Sequence, residues 1–378
     1  MTLFFMSNDF SEKTHDVAEQ SKIKCKDCGG LLEYAPGVQN LKCIYCGTEN
    51  EIKDAEPVAA EEIDFHAFLA NAENAAEKME VATVKCDSCG SSTTLQPNVT
   101  ADNCPFCGTA LVIKGGTTSS FIKPKYMLPF SVDKKKGHEK FKEWMHALWF
   151  APNDLKKFAE NDRIKGLYIP YWTYDSNTVS WYTGMRGDHY YVSETYTENG
   201  QTKTRQVRKT RWTATSGTVY ENFDDVLVNA SKSLPEKLAN ELEPWDLQNL
   251  AAFNEQFLTG FISEKYQVDV QEGFDKAKVR MDDTIRGTVR KHIGGDEQQI
   301  TTLRTEYNDI TFKHILLPIW LSAYKYKEKV YRFMINGRTG EVQGERPYSF
   351  WKIFFTVLGG LAVIGAGIWA YMYFKQDS

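Results

Sequence analysis

The sequence predicts an α+β protein made of two small cysteine-bearing β-ribbons, a larger antiparallel-sheet α+β body, and one C-terminal apolar helix. Three observations predict it. All eight cysteines fall into two quartets of identical spacing, and a charge-free run of twenty-two residues lies near the C-terminus. The stretch between alternates apolar strands, turn residues and segments of helical periodicity.

Residues 1–21 carry no such pattern and are expected to be flexible; Met1 to Phe10 lack the basic start and apolar core of a signal peptide. Ribbon one is placed at 22–53, where Cys25-x2-Cys28 is followed by Cys43-x2-Cys46. Ribbon two, at 83–115, repeats the arrangement as Cys86-x2-Cys89 and Cys104-x2-Cys107, and no cysteine is left over. Two thiolates at this spacing on a tight knuckle can grip one cation, and two knuckles joined by a short hairpin complete a tetrahedral four-cysteine site. Gly29, Gly47, Gly90 and Gly108 each follow a second cysteine, giving the backbone the φ > 0 option that turns amides toward sulfur. A thioredoxin-like redox motif needs a single CxxC, disulfides need an oxidising compartment, and the symmetric spacing argues against an iron–sulfur centre. Zn²⁺ is the expected ion at both sites. With four ligands each, both read as structural and not catalytic.

The connector at 54–82 is acidic: eight carboxylates and one lysine lie between Asp54 and Glu80. Phe65, Phe68/Leu69, Ala72, Ala76 and Met79 recur at helical spacing, so it is expected either to form a short amphipathic helix that packs against something or to be a solvated linker helix. Charge weighs against nucleic acid. Residues 1–120 hold 9 Lys+Arg against 18 Asp+Glu, and a four-thiolate site loaded with Zn²⁺ adds further negative charge. Binding to phosphates takes most of its strength from basic residues that these ribbons lack.

The body is expected over 125–347. Asp133 is placed to cap a helix carrying Phe141, Trp144/Met145 and Leu148/Trp149 on one stripe. Leu167–Tyr174 and Leu317–Tyr324 are two apolar strands, each with Pro just before Trp. Between them Leu234–Gly260 reads as helical, and Val270–Ile293 as a longer helix with Phe274, Ala277, Met281, Ile285, Thr288 and His292 on one face and Gly294-Gly295 as its stop. Asn336-Gly337 favours a hairpin. Asn199-Gly200 predicts another, at 190–212, pairing Glu198 with Gln201, Glu194 with Arg205 and Val192 with Val207. Neither face of it is apolar, so it should project, self-neutralised or with Lys203, Arg205, Arg208, Lys209 and Arg211 offered to anionic lipid or an acidic partner.

The charge-free run, Ile353 to Phe374, predicts a membrane-spanning helix over 351–374: about 33 Å at 1.5 Å per residue. Trp351 marks one interface and Trp369, Tyr371 and Tyr373 the other. Arg338, Arg346 and Lys352 precede the run and Lys375 alone follows it, which places the N-terminal bulk in the cytoplasm of a single-pass plasma-membrane protein. Catalytic motifs are missing: no phosphate loop, no Gly-x-Gly-x-x-Gly after a strand, no Gly-x-Ser-x-Gly and no His-Glu-x-x-His. The seven histidines show no ligand spacing. No catalytic residue is assigned, and a non-enzymatic role is expected.

The two quartets, the Leu317-Pro-Ile-Trp-Leu strand, the Tyr331–Gly344 segment containing Asn-Gly-Arg-Thr-Gly-Glu-Val, and the terminal run together resemble one family over most of the chain. This is the YdjG-type family of bacterial double zinc-ribbon membrane proteins, often mislabelled primosomal or helicase-like. The helicase label fails here for want of a nucleotide-binding loop. The resemblance implies an adaptor that partners a second membrane protein and recruits a flotillin-like (SPFH) and a phage-shock-protein-A-like protein to the bilayer. A membrane-tethered nucleic-acid binder is the alternative.

Overall fold

The computed structural model describes residues 24–376 apart from 39, 53–55, 71–77, 95–100, 113–116, 153–163 and 327–328. The flexible terminus expected at 1–21 lies outside them. The fold is α+β with mostly antiparallel sheet. Strands β1 (Leu32–Ala35), β2 (Asn40–Cys43) and β3 (Glu49–Glu51) form the first ribbon as a three-stranded meander.

The acidic connector is not one helix. Among its described residues, β4 (Ile63–Asp64) is followed by α1 (Phe65–Ala70) as the only helix, with Asp64 accepting from the Ala67 amide at 2.6 Å. Ala72 and Ala76 lie outside the described residues, and Met79 falls in β5 (Lys78–Lys85), a strand. The segment also packs. β4 pairs with the body's sheet at Phe312 and Thr311, and Phe65 and Phe68 are buried against Phe312. The second ribbon comprises β5, β6 (Ser92–Thr94), β7 (Ala101–Asn103), β8 (Ala110–Val112) and β9 (Thr117–Ile122), with β6-β5-β9 in one sheet and β7-β8 in another.

The body then follows in chain order. β10 (Tyr126–Met127) leads to α2 (Lys134–Ala147), capped by Asp133, which accepts from the Lys136 amide at 2.7 Å. β11 (Lys165–Glu198) turns at Asn199 (φ 52°) and Gly200 (φ 75°) into β12 (Gln201–Asn229). Their register pairs Glu198 with Gln201, Glu194 with Arg205 and Val192 with Val207. The hairpin is therefore far longer than 190–212; only its tip beyond Gly187 lacks the third strand. The expected helical middle at 234–260 contains α3 (Glu236–Glu241), two 3-10 turns and β13 (Ala251–Ala252). Pro235 and Pro244 interrupt its periodicity. β14 (Ile262–Ser263) precedes α4 (Val270–Ile293), which ends at Gly294 with φ 67°. Its buried face runs through Phe274, Ala277, Met281 and Ile285 to Val289 and Ile293, so Thr288 and His292 lie off it. β15 (Glu297–Tyr326), β16 (Lys329–Asn336), β17 (Val342–Gly344) and α5 (Phe350–Gln376) complete the chain.

The central strands are β11 and β15, which pair antiparallel from Lys165–Leu321 to Gly187–Glu297. The two Pro–Trp segments pair directly: Leu167 with Ile319, Tyr168 with Pro318, Ile169 with Leu317. Proline in a central strand should cost a ladder bond. Here each sits where the partner on the strand's far side changes. β14 pairs β11 up to Tyr168 and β12 begins at Tyr171; β10 pairs β15 up to Leu316 and β16 begins at Ile319. The Pro170 and Pro318 carbonyls accept from Ala230 and Gly337 across these gaps. The missing N–H groups face the same gaps, so no ladder donor is lost.

Alternation along these strands divides the core between two faces. Leu167, Ile169, Tyr171, Leu317, Ile319 and Leu321 belong to one cluster with Cys86, Cys104 and Phe106 of ribbon two. Tyr168, Leu316 and Trp320 belong to another with Cys25, Leu32, Tyr34 and Cys43 of ribbon one. The two ribbons therefore pack against opposite faces of one sheet. Further along, α1 and α4 cover Trp172, Tyr174 and Phe312.

Candidate metal centres

The four knuckles share one backbone pattern. The amide of Gly29, Gly47, Gly90 or Gly108 donates to the carbonyl of the first cysteine of its pair at 2.8–3.0 Å, and every one of these glycines has φ between 70° and 77°. The turn that results brings both sulfurs of a pair to one side. Across each ribbon the sulfurs converge: Cys25–Cys46 at 3.6 Å and Cys28–Cys43 at 3.5 Å, Cys86–Cys107 and Cys89–Cys104 at 3.7 Å. All four sulfurs of each quartet lie within 4.8 Å of one another. A tetrahedral ion with bonds of about 2.3 Å to sulfur has S···S edges of about 3.8 Å. A disulfide needs about 2.05 Å. The eight cysteines are free thiols arranged as two four-sulfur cages of a size that fits zinc.

Both cages tie into the body. Tyr34 of ribbon one donates its hydroxyl to the Phe130 carbonyl at 3.0 Å and meets Phe257 edge-on at 5.1 Å; Phe130 stacks on Phe261 and meets Tyr168 edge-on and Trp320 at a tilt. In ribbon two, the Phe106 carbonyl, inside a knuckle, accepts from Arg332 Nε at 2.6 Å, and Thr93 bridges to Glu264. The cages differ in access. Cys28 and Cys46 are exposed, while Cys86 and Cys104 are buried and Cys89 and Cys107 half-buried. Thr48 Oγ1 and Thr109 Oγ1 each lie 3.3 Å from the last sulfur of their cage. Thr48, by its hydroxyl and amide, holds the Cys46 thiol down to about 6. Cys28 has the Gly30 amide to favour its thiolate, yet the Cys46 and Cys43 thiols push it up to about 12. Four thiolates at this spacing therefore call for a cation to neutralise them, and its binding releases protons.

Three further groups have no sequence signal because they are made by tertiary burial. Lys313, 5% exposed, is ringed by Asp225 at 2.8 Å, Glu62 at 3.2 Å and Asp175 at 3.6 Å. These carboxylates meet where β11 bulges at Tyr174–Asn177 and Asp225 takes φ 54°. Burial and the neighbouring Glu62 carboxylate push Asp175 up, while Asp175, Thr311 and Lys313 draw Glu62 down. Glu62, Asp175 and Asp224 also converge within 4.8 Å, with the Lys313 ammonium already among them. His314 is buried against Trp172 at 4.5 Å, and desolvation pushes it down to about 3, so it stays neutral. Glu264 is buried at the seam of ribbon two and β11. His292, placed on the apolar face by periodicity, is exposed and accepts or donates to the Tyr182 hydroxyl at 3.0 Å.

One helix among the described residues, Phe350–Trp369 within α5, is long and apolar enough to cross a membrane, with mean hydropathy 1.8 and none of it buried. Among curated proteins, the chain is similar to one from Bacillus subtilis (strain 168) named Uncharacterized protein YdjG. The two are 26% identical over 246 residues, spanning 62% of this chain and 67% of that one. No family model and no solved structure matches the chain. The relative supports the YdjG-type label, and the two four-cysteine clusters of this chain fit zinc ribbons.

Proposed function

We propose that this is a non-enzymatic, single-pass membrane adaptor whose ribbons hold Zn²⁺ structurally and whose cytoplasmic body docks partner proteins. The observation that carries it is α5: an apolar helix with no buried face, attached to a body whose own cores are complete without it. Such a surface is stable only in lipid or against protein. Each four-cysteine cage offers all four positions to the chain's own sulfurs, which suits a structural ion. The partners to look for are those the family resemblance implies: a second membrane protein, and flotillin-like and phage-shock-protein-A-like proteins. Affinity purification of the tagged full chain from native membranes is the test. Recovery of a stoichiometric protein partner in the membrane fraction is expected. A chain that fractionates away from membranes, or that comes alone from them under mild detergents, overturns the adaptor reading. Nucleic-acid binding with a steep salt dependence would favour the membrane-tethered binder instead.

A further inference from the structure

The segment after α2 exposes Trp149 (73%) and Phe150 (38%) to solvent. Lack of core space does not explain it, since Leu148 and Ala151 on either side are buried. α2 itself is fixed, with Phe141 stacked on Phe333 at 3.6 Å. The two outward rings are therefore presented by a rigid support. They also stand beside the first turn of α5. The Ser349 amide donates to the Phe150 carbonyl at 2.7 Å, and Lys352 Nζ donates to the Ala151 carbonyl at 2.8 Å. Tyr348, Phe350 and Trp351 are exposed in the same neighbourhood, and Arg346 lies over the Tyr348 ring at 5.6 Å.

We infer that Trp149 and Phe150 sit in the interfacial layer of the bilayer beside the start of α5, as a second lipid contact that fixes how the body stands on the membrane. The inference rests on the membrane-spanning reading of α5. Its physical basis is that aromatic rings partition to the headgroup level, where the ring is desolvated and a basic residue meets phosphate. Lipid is the fitting occupant because the patch is continuous with the apolar surface of α5, and the two hydrogen bonds hold the backbone that carries it against the first turn of that helix. A consequence concerns the long hairpin. Ile164, just before β11, shares a core with Leu148 and Ala151, whereas the tip at Asn199 is thirty-five residues further along. At about 3.3 Å per residue the tip lies on the order of 110 Å of strand path from the membrane end. Its basic residues are thus carried away from this contact.

The test uses the full chain with fluorotryptophan, reconstituted in phosphatidylcholine nanodiscs, with fluorine resonances assigned by their loss in Trp149→Phe and Trp351→Phe. A phosphatidylcholine spin-labelled just below the headgroup is then added. Loss of both the Trp149 and Trp351 signals, with those of buried Trp172 and Trp245 unchanged, is the expected result. If the Trp351 signal is lost and that of Trp149 persists, the span stands and the second contact falls. That outcome, with Trp149 shielded from a soluble quencher, points to a protein over the patch. If neither signal is lost, the spanning reading fails and takes this inference with it.

Discussion

Glu264 shows how much chemistry a single buried carboxyl can carry. It is 3% exposed; Ser233 Oγ and Gln267 Nε2 donate to its Oε1, the latter at 2.8 Å, while Oε2 has no partner among the described residues. Burial pushes its carboxyl up to about 7 from 4.5. Below pH 4.5 folded and unfolded chains both hold the proton, and the group is neutral to stability. As pH rises through 4.5 to 7 only the unfolded chain gives it up, so folding loses up to ~3 kcal/mol. Glu264→Gln is therefore expected to be more stable than the parent at pH 8 and close to it at pH 4.5. Urea denaturation of both proteins across that range, in zinc-supplemented buffer, reads the difference. Equal pH slopes would show that the carboxyl is solvated. No pattern in the sequence marks Glu264, Lys313 or His314, because their environments are assembled from segments far apart in the chain. The grouping of the cysteines into two quartets, by contrast, was legible residue by residue, since a four-sulfur cluster constrains spacing and the glycine after it locally.

Elements were legible where one local rule governed and obscure where packing chose. The Asn199-Gly200 turn demands φ > 0 twice and so determines a register that runs for over twenty pairs. The stripe of α4 was readable to Ile285 and then drifted by one residue, since 3.6-residue periodicity does not itself pick between neighbouring positions at the end of a helix. The connector at 54–82 was legible where Phe65 and Phe68 place a short packed helix, and obscure at its two ends, where pairing takes Ile63 and Asp64 as a strand at Thr311–Phe312 and Met79 into β5. Gly273 makes the conflict between propensity and packing measurable. Alanine is the better helix former by about 1 kcal/mol. A Cβ on Gly273 would overlap the Tyr174 hydroxyl and lie 2.9 Å from Trp172 Cδ1, disturbing the Tyr174 bond to the Val270 carbonyl. Overpacking of this kind costs about 1–3 kcal/mol and a lost hydrogen bond about 1 kcal/mol. Gly273→Ala should thus destabilise by about 1–3 kcal/mol, while Gly287→Ala on the same helix, where a Cβ meets nothing within 4 Å, should stabilise. Chemical denaturation of the two variants side by side decides it; a stabilising Gly273→Ala would refute the close approach. At the other extreme, Gly200→Val should speed hydrogen exchange over 190–212 and leave the melting temperature unmoved, because only two strands meet there.

At the scale of the whole molecule, the ribbons read from sequence as separate docking modules are built into the body. Each cage shares a hydrophobic cluster with one face of the β11–β15 sheet: Cys25 and Cys43 with Tyr168 and Trp320, Cys86 and Cys104 with Leu167 and Leu321. That arrangement was not legible, since the periodicity of β11 says that both of its faces are buried without saying by what. It changes what metal does. A free ribbon stripped of zinc would unfold alone and leave the body's stability untouched. Here, four thiols left without their cation must separate or protonate, and the sulfurs that move are core side chains of the sheet. Chelation of the full chain in detergent should therefore lower the melting temperature reported by buried Trp172 and Trp320, in one transition with loss of the ribbons. Cys43→Ser and Cys104→Ser should each remove one of two bound metals, and each should move the sheet's transition while the other cage stays loaded. The effect should be the larger for Cys104→Ser, whose cage is the more buried of the two. Metal content by elemental analysis and melting followed by tryptophan emission test both points. A body that melts at the same temperature with and without metal would show the ribbons to be independent modules, resting on the sheet without supporting it.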